Sequence, residues 1–174
     1  EVYVEMMYSF ETQYPDLCKV SSIGTSVDGR ELLVAKITDS LTISQNEPKI
    51  LYTSSMHGDE ISGFVLSLRL IDYLLSNYES DTRIANIINN TELWINPLAN
   101  PDGAYTTNNS SVFNAQRYNA NWVDLNRNYP DPEDGSHPDG NIYQPETVAF
   151  MDFADSVQFD ISSNFHGGAE VANY

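Results

Sequence analysis

A nearly continuous apolar segment, Ile50-Leu51-Tyr52, runs into Met56-His57-Gly58-Asp59-Glu60 and from there into a long helical pattern. Pro48 precedes the segment, and Lys49 to Ser54 reads as a strand covered on both faces. Beyond Glu60, the residues Ile61, Phe64, Val65, Leu68, Ile71, Leu75 and Tyr78 recur on one face of a helix. Strands that alternate with helices imply an α/β sheet, and in such sheets ligands collect at the carboxyl ends of strands. His57 stands at one such end.

The rest of the chain continues the alternation. Val2, Met6, Phe10 and Tyr14 recur every fourth position and predict an amphipathic helix ended by Pro15. Lys19 to Ile23 and Glu31 to Thr38 read as two strands joined across a turn containing Asp28-Gly29. A helix is expected between Thr82 and Asn90, then a short strand, Glu92 to Asn96, stopped by Pro97. From Asn100 to Asn141 the chain is loop-like, and a loop of that length inside a domain is usually functional. Pro145 opens a helix to about Ser156 as a first-turn proline. Phe159 to Phe165 reads as a strand buried on both faces, ending at His166-Gly167-Gly168. The expected fold is α/β: a mixed, mostly parallel, twisted sheet with helices on both faces, in a single domain spanning residues 1–174.

Charge removes several classes of partner. Against 25 Asp and Glu the chain carries 8 Lys and Arg, for a net charge of −17, so nucleic acid and an acidic membrane would both repel it. No apolar run approaches the ~18 residues of a membrane span. The single cysteine, Cys18, allows no internal disulfide and no Cys-rich zinc site, and reads as a small half-buried residue. That pattern fits cytoplasm or a bacterial secreted protein. Without a start Met or a signal peptide, the chain reads as a processed or excised piece.

Three constellations carry chemistry. His57 and Glu60, three residues apart at a strand-to-helix junction, can converge on one metal ion, although alone they fit a capping histidine and a solvated glutamate better. His166, again at a strand end and followed by two glycines, changes this, because two histidines and a glutamate are a known catalytic zinc set. The second is Asp124-Leu125-Asn126-Arg127-Asn128. Arg127 offers a planar fork for a carboxylate, Asn126 an amide, and Asp124 an acceptor for the far nitrogen of a metal-bound histidine. Taken alone, this stretch also fits a polar loop held by asparagine turns. The third is the turn chemistry of Asn100-Pro101-Asp102-Gly103. His137, between turns, is a poor zinc ligand. Asp131, Glu133, Asp134 and Asp139 around it offer a conceivable calcium site, set against an ordinary solvated run of charge.

Taken jointly, Ser26-Val27-Asp28-Gly29-Arg30-Glu31-Leu32, His57-Gly58-Asp59-Glu60, Asn100-Pro101-Asp102-Gly103, Asp124-Leu125-Asn126-Arg127-Asn128 and His166-Gly167-Gly168 resemble the zinc metallocarboxypeptidase family. The likeness is greater to its regulatory (N/E-like) and bacterial branches than to the digestive enzymes. The resemblance implies a carboxypeptidase-like fold, of which this chain is the N-terminal part, truncated before its last strands and helices. It implies one zinc ion held by His57, Glu60 and His166, with Asp124 behind the first histidine. Asn126 and Arg127 match the residues that bind the substrate's terminal carboxylate, and Arg117 resembles the arginine that polarises the scissile carbonyl. The implied activity is removal of the C-terminal residue from a peptide or protein with a free carboxylate. No residue matches the family's catalytic glutamate, which lies beyond the third ligand, and Glu170 is a poor substitute. Two other readings stand beside it: a zinc hydrolase of peptidoglycan stem peptides or N-acyl amino acids, and a non-catalytic binding module on the same fold. Family members are largely secreted, which with the lack of disulfides points to a secreted bacterial protein.

Overall fold

The computed structural model describes residues 2–43, 45–168 and 171–172. The elements in order are helix α1 (Val2–Gln13), strands β1 (Cys18–Thr25), β2 (Glu31–Ile37) and β3 (Lys49–Ser54), helices α2 (Ile61–Asn77) and α3 (Thr82–Ile88), strand β4 (Glu92–Asn96), the short helix α4 (Pro101–Ala104), a 3₁₀ turn (Leu125–Arg127), helix α5 (Pro145–Val157) and strand β5 (Ile161–Phe165). The local chemistry behind their ends is plain. α1 stops ahead of Pro15, whose ring restricts the residue before it. α3 is capped by the Asp81 carboxylate, which accepts from the Arg83 N–H, and α5 starts on Pro145.

The five strands form one mixed sheet in the order β1-β2-β4-β3-β5. β2 runs antiparallel to both of its neighbours, while β3 pairs in parallel with β4 and with β5. Four strands therefore point one way and β2 opposes them. Helices cover both faces. Leu33, Ala35 and Ile37 of β2 join Met7 and Phe10 of α1, Ile71 and Leu75 of α2, and Ile84 and Ile88 of α3 in the larger core. Val34, pointing the other way, packs with Leu51 and with Phe153 of α5. This period-2 alternation divides the apolar residues of one strand between the two layers.

Some expectations change. On α2 the buried stripe is Phe64, Ser67, Ile71, Leu74 and Leu75, and Val65 is 42% exposed because it sits at the edge of that stripe. In β3, Ile50 and Tyr52 are half-buried and Leu51 is buried. Cys18 is fully buried rather than half-buried, and burial pushes its thiol up to about 12, so it acts as a small core residue. The largest correction concerns β5. It lies at the sheet edge with one partner, and Ile161 and Phe165 remain 59% and 46% exposed, so among the described residues it is not buried on both faces.

The turn between β1 and β2 is tied to α4 by one buried carboxylate. Asp102 accepts from the Ser26 hydroxyl (2.8 Å), the Asp28 N–H (2.9 Å) and Arg30 Nη1 (2.6 Å). Two of the family-like stretches thus serve each other structurally. Asp102→Ala removes the buried counter-charge of a largely buried guanidinium and leaves it the exposed Asp28 carboxylate at 3.4 Å, so it should cost about 3–5 kcal/mol. Urea unfolding of the variant beside the wild type measures this, and a loss within experimental error would show the clamp to be idle.

Candidate metal centre

The strand order makes the centre. β3 and β5 are neighbours, and their last residues, Ser54 and Phe165, lie side by side. The chain therefore leaves both strands at the same end, bringing His57 and His166 together from distant parts of the sequence. Their Nδ1 atoms are 3.2 Å apart. Glu60, at the N-terminal boundary of α2, places Oε1 2.9 Å from His57 Nδ1 and Oε2 2.9 Å from His166 Nδ1.

Both ring nitrogens of His57 have polar neighbours. Arg117 Nη1 lies 3.3 Å from His57 Nδ1, and a guanidinium can only donate. With the proton on Nε2, that nitrogen donates to Asp124 Oδ1 at 3.1 Å and Nδ1 is left as an acceptor. A bare imidazole nitrogen then faces a carboxylate oxygen, an arrangement that a shared cation relieves. The donor set is two nitrogens and an oxygen. Its edges of 2.9–3.2 Å approach the ~3.3 Å separation of ligands held tetrahedrally at zinc distances. These three residues therefore fit a zinc ion. Among the described residues they are the group of His, Cys, Asp and Glu side chains that meets closely enough to share a metal.

Electrostatics agree with that reading. Burial pulls the Glu60 carboxyl up, but the Gly167 N–H at 2.9 Å and the two imidazoles outweigh it and hold the group below the ordinary carboxylate range. Burial also acts on Asp124, and is outweighed by Arg117, which reaches Oδ2 through Nε (2.9 Å) and Nη2 (2.8 Å), and by the Asn126 N–H. Both carboxylates are thus kept ionised. His166 Nε2 is held by the Asn164 side-chain amide at 3.0 Å, and Asn164 in turn accepts from the Thr53 hydroxyl.

Close backbone packing seats the first histidine. A Cβ on Gly58 would lie 2.2 Å from the Gly103 carbonyl carbon, and one on Gly103 would lie 2.6 Å from the Tyr118 oxygen. Two glycines in contact let the segment bearing Arg117 lie against the one bearing His57, and the Gly58 N–H donates to the Arg117 carbonyl. Gly167 is under no such steric constraint. A side chain there would meet Glu60 at ordinary contact distance, so this residue serves by its N–H, whereas Gly168 adopts φ 93° in the left-handed region.

The segment from Arg117 to Asn128 is anchored from below by the start of α5. Asn119 and Asn128 are fully buried at its two ends. Asn119 Nδ2 donates to Gln144 Oε1 (3.0 Å) and Glu146 Oε2 (3.3 Å), and Asn128 Oδ1 accepts from the Gln144 N–H and the Thr147 hydroxyl, both at 2.8 Å. Burial pushes the Glu146 carboxyl up. Asn126 and Arg127 lie exposed between these anchors. Arg127 Nη1 donates to the Asn126 carbonyl, and among the described residues no carboxylate pairs with it, so its fork remains open to a ligand.

Sequence reasoning therefore located His57, Glu60, His166, Asp124 and Arg117, which meet, and Asn126 and Arg127, which lie beside them. It missed Asn119, Gln144, Glu146 and Asn164, which stand among polar neighbours and carry no sign of their roles in the sequence. His137 stacks on Tyr143 with ring centroids 4.3 Å apart, away from the metal group. The 131–139 loop is organised by its own turns: Asp131 accepts from the Glu133 and Asp134 N–H groups, and Asp139 from Asn128 and Asn141. It brings no three carboxylates to a common point among the described residues. Glu170 lies outside the described residues.

Comparison with known proteins matches residues 3–174 to the family described as zinc carboxypeptidase. The chain belongs to the zinc carboxypeptidase family. Carboxypeptidase D of Homo sapiens is 38% identical over 168 residues, which cover 95% of this chain and 12% of that protein. Carboxypeptidase M of Mus musculus is 38% identical over 168 residues, covering 95% of this chain and 37% of that one. The chain thus spans well under half the length of these relatives. Carboxypeptidase A from Helicoverpa armigera shares the fold, with a TM-score of 0.77 at 21% identity over 94% of this chain and 44% of that one. Among the described residues no helix is long and apolar enough to cross a membrane.

Proposed function

We propose that this chain is the N-terminal part of the catalytic domain of a zinc-dependent metallocarboxypeptidase, which hydrolyses the C-terminal bond of peptides or proteins. The observation that carries this is the meeting of His57 Nδ1, Glu60 and His166 Nδ1 beside an arginine whose fork no carboxylate among the described residues occupies. A zinc ion in such a set supplies a Lewis acid for the scissile carbonyl and lowers the pKa of bound water.

The chain's own residues do the rest. His57, Glu60 and His166 would hold the ion. Asp124 keeps the proton on Nε2 of His57 and so leaves Nδ1 free to ligate. Arg117, fixed by the same carboxylate, presents positive charge beside the ligands, where an oxyanion would develop. Asn126 and Arg127 bind the terminal carboxylate and so restrict the reaction to chain ends. Glu60 and Asp124, the carboxylates bonded to the histidines, are both engaged, which supports a general base outside this chain.

Hydrolysis of peptidoglycan stems or N-acyl amino acids, and a purely binding role, gain no specific support: the relatives named are carboxypeptidases and the donor set is complete. A secreted setting belongs to the same proposal. The bacterial source expected from the lone cysteine gains nothing from these two relatives, which are animal proteins. Mass spectrometry of a free-acid peptide incubated with the zinc-loaded parent protein tests the function. Loss of the last residue alone is expected, and internal cleavage would overturn the proposal.

A further inference from the structure

The two histidines of the centre differ in what stands behind them. A neutral imidazole that gives one ring nitrogen to a cation carries its proton on the other, and that proton needs an acceptor. Behind His57 the acceptor is a carboxylate oxygen of Asp124, 3.1 Å from Nε2. Behind His166 stands the side-chain amide of Asn164, whose Nδ2 lies 3.0 Å from Nε2. The amide is held at its other end as well. Its Oδ1 accepts from the Thr53 hydroxyl at 3.0 Å, and Nδ2 also lies 3.6 Å from the Met56 sulfur. Thr53 of β3 and Asn164 of β5 are register partners, so the amide stands between a buried hydroxyl and the imidazole.

With Nδ2 toward Nε2 the amide donates, which goes with a proton on Nδ1 of His166. A cation at Nδ1 requires the reverse. A half-turn about the last bond of the Asn164 side chain exchanges its nitrogen and oxygen. Oδ1 then accepts from Nε2–H, and Nδ2 donates to Thr53. Thr53 serves both arrangements, because a hydroxyl both donates and accepts. We infer that Asn164 is a positioning residue of the centre, with Thr53 as its pivot: its amide oxygen takes the Nε2 proton of His166 and so directs Nδ1 to the ion. This rests on the zinc reading of the centre, in which Nδ1 of His166 is a ligand. The two histidines are then backed unequally. A carboxylate stands behind His57 and a neutral amide behind His166, and the neutral acceptor adds less to the basicity of its ring.

Zinc affinity tests this without turnover. In the parent protein, competition with a chromophoric chelator gives the dissociation constant, and the binding step that His166→Ala removes is the one read. Asn164→Leu, close in size but without hydrogen bonds, should weaken that step by about 10- to 100-fold. Asn164→Asp can accept from Nε2–H but cannot donate to it, and should bind zinc at least as tightly as the wild type. A residue that only braces β5, or one that donates to Nε2, would lose as much with Asp as with Leu. Asn164 is exposed among the described residues, so unfolding midpoints measured with chelator present should stay near the wild-type value in both variants. Thr53→Val, of the same shape, removes the pivot without touching Asn164. It should weaken the step by about 2- to 10-fold, as expected for one neutral hydrogen bond, and Thr53→Ser should keep the wild-type affinity. Wild-type affinity in Asn164→Leu, or an equal loss in Asn164→Leu and Asn164→Asp, would overturn the positioning role, and wild-type affinity in Thr53→Val would overturn the pivot. The control separates the two levels. If His166→Ala removes no zinc-binding step, the ligand set fails and takes this inference with it; if it removes one while Asn164→Leu binds as the wild type does, this inference fails alone.

Discussion

Zinc should raise the unfolding temperature of this protein, and His166→Ala should abolish the rise. A ligand that binds only the folded state contributes about 4 kcal/mol at a thousand times its dissociation constant. In a domain of this size that corresponds to roughly 8–16 °C. The effect should be this large because three side chains from β5, the end of β3 and the start of α2 meet at one point, so the ion joins elements that are far apart in the chain. Calorimetry of the metal-free and zinc-loaded protein, with a chelator as control, measures the shift. An unchanged midpoint in the wild type, or a full shift in His166→Ala, would rule out the assigned ligand set. Losing one of three protein ligands should weaken zinc binding by more than the ~10–100-fold typical of losing an outer hydrogen-bond partner.

Arg127→Lys should weaken the binding of a free-acid peptide by about 10- to 100-fold, although the charge is conserved. The fork of Arg127 carries no carboxylate among the described residues, and the neighbouring Asn126 lies equally exposed. A guanidinium grips a carboxylate with two parallel hydrogen bonds where an ammonium makes one. A hydrogen bond to a charged group is worth about 1.5–3 kcal/mol, which gives the quoted range. Isothermal titration with an acid peptide and its amide, in wild type and variant, provides four affinities. The wild type should discriminate strongly against the amide and the variant weakly. Equal binding of acid and amide by the wild type would remove the basis for exopeptidase action.

Much of the architecture is legible in the order of the residues. The strand of Lys49–Ser54 lies at the expected residues, the helices after Glu60 and Pro145 begin where their sequence signals stand, and α1 stops before Pro15. Such local features follow from periodicity, proline geometry and caps, which act within a few residues. The burial of β5 departs from expectation for the complementary reason. Apolar content marks a segment as suited to burial, but its exposure depends on which elements lie over it, and the described ones leave most of this strand exposed.

The sequence by itself determined the order of the elements, the clustering of chemistry at strand ends, and the residue types of the donor set. It could not say that His57 and His166 face each other. That depends on β5 lying next to β3 rather than next to β4, and strand neighbours are chosen by contacts among distant residues. Tertiary structure likewise decided that Asp102 takes Arg30 out of play while Arg127 stays open, and that Asn119, Asn128 and Glu146 carry the loop that bears Arg117 and Asp124. A buried polar residue must find its hydrogen bonds wherever the chain brings partners to it. Its role is therefore written in three dimensions and not in the residues beside it.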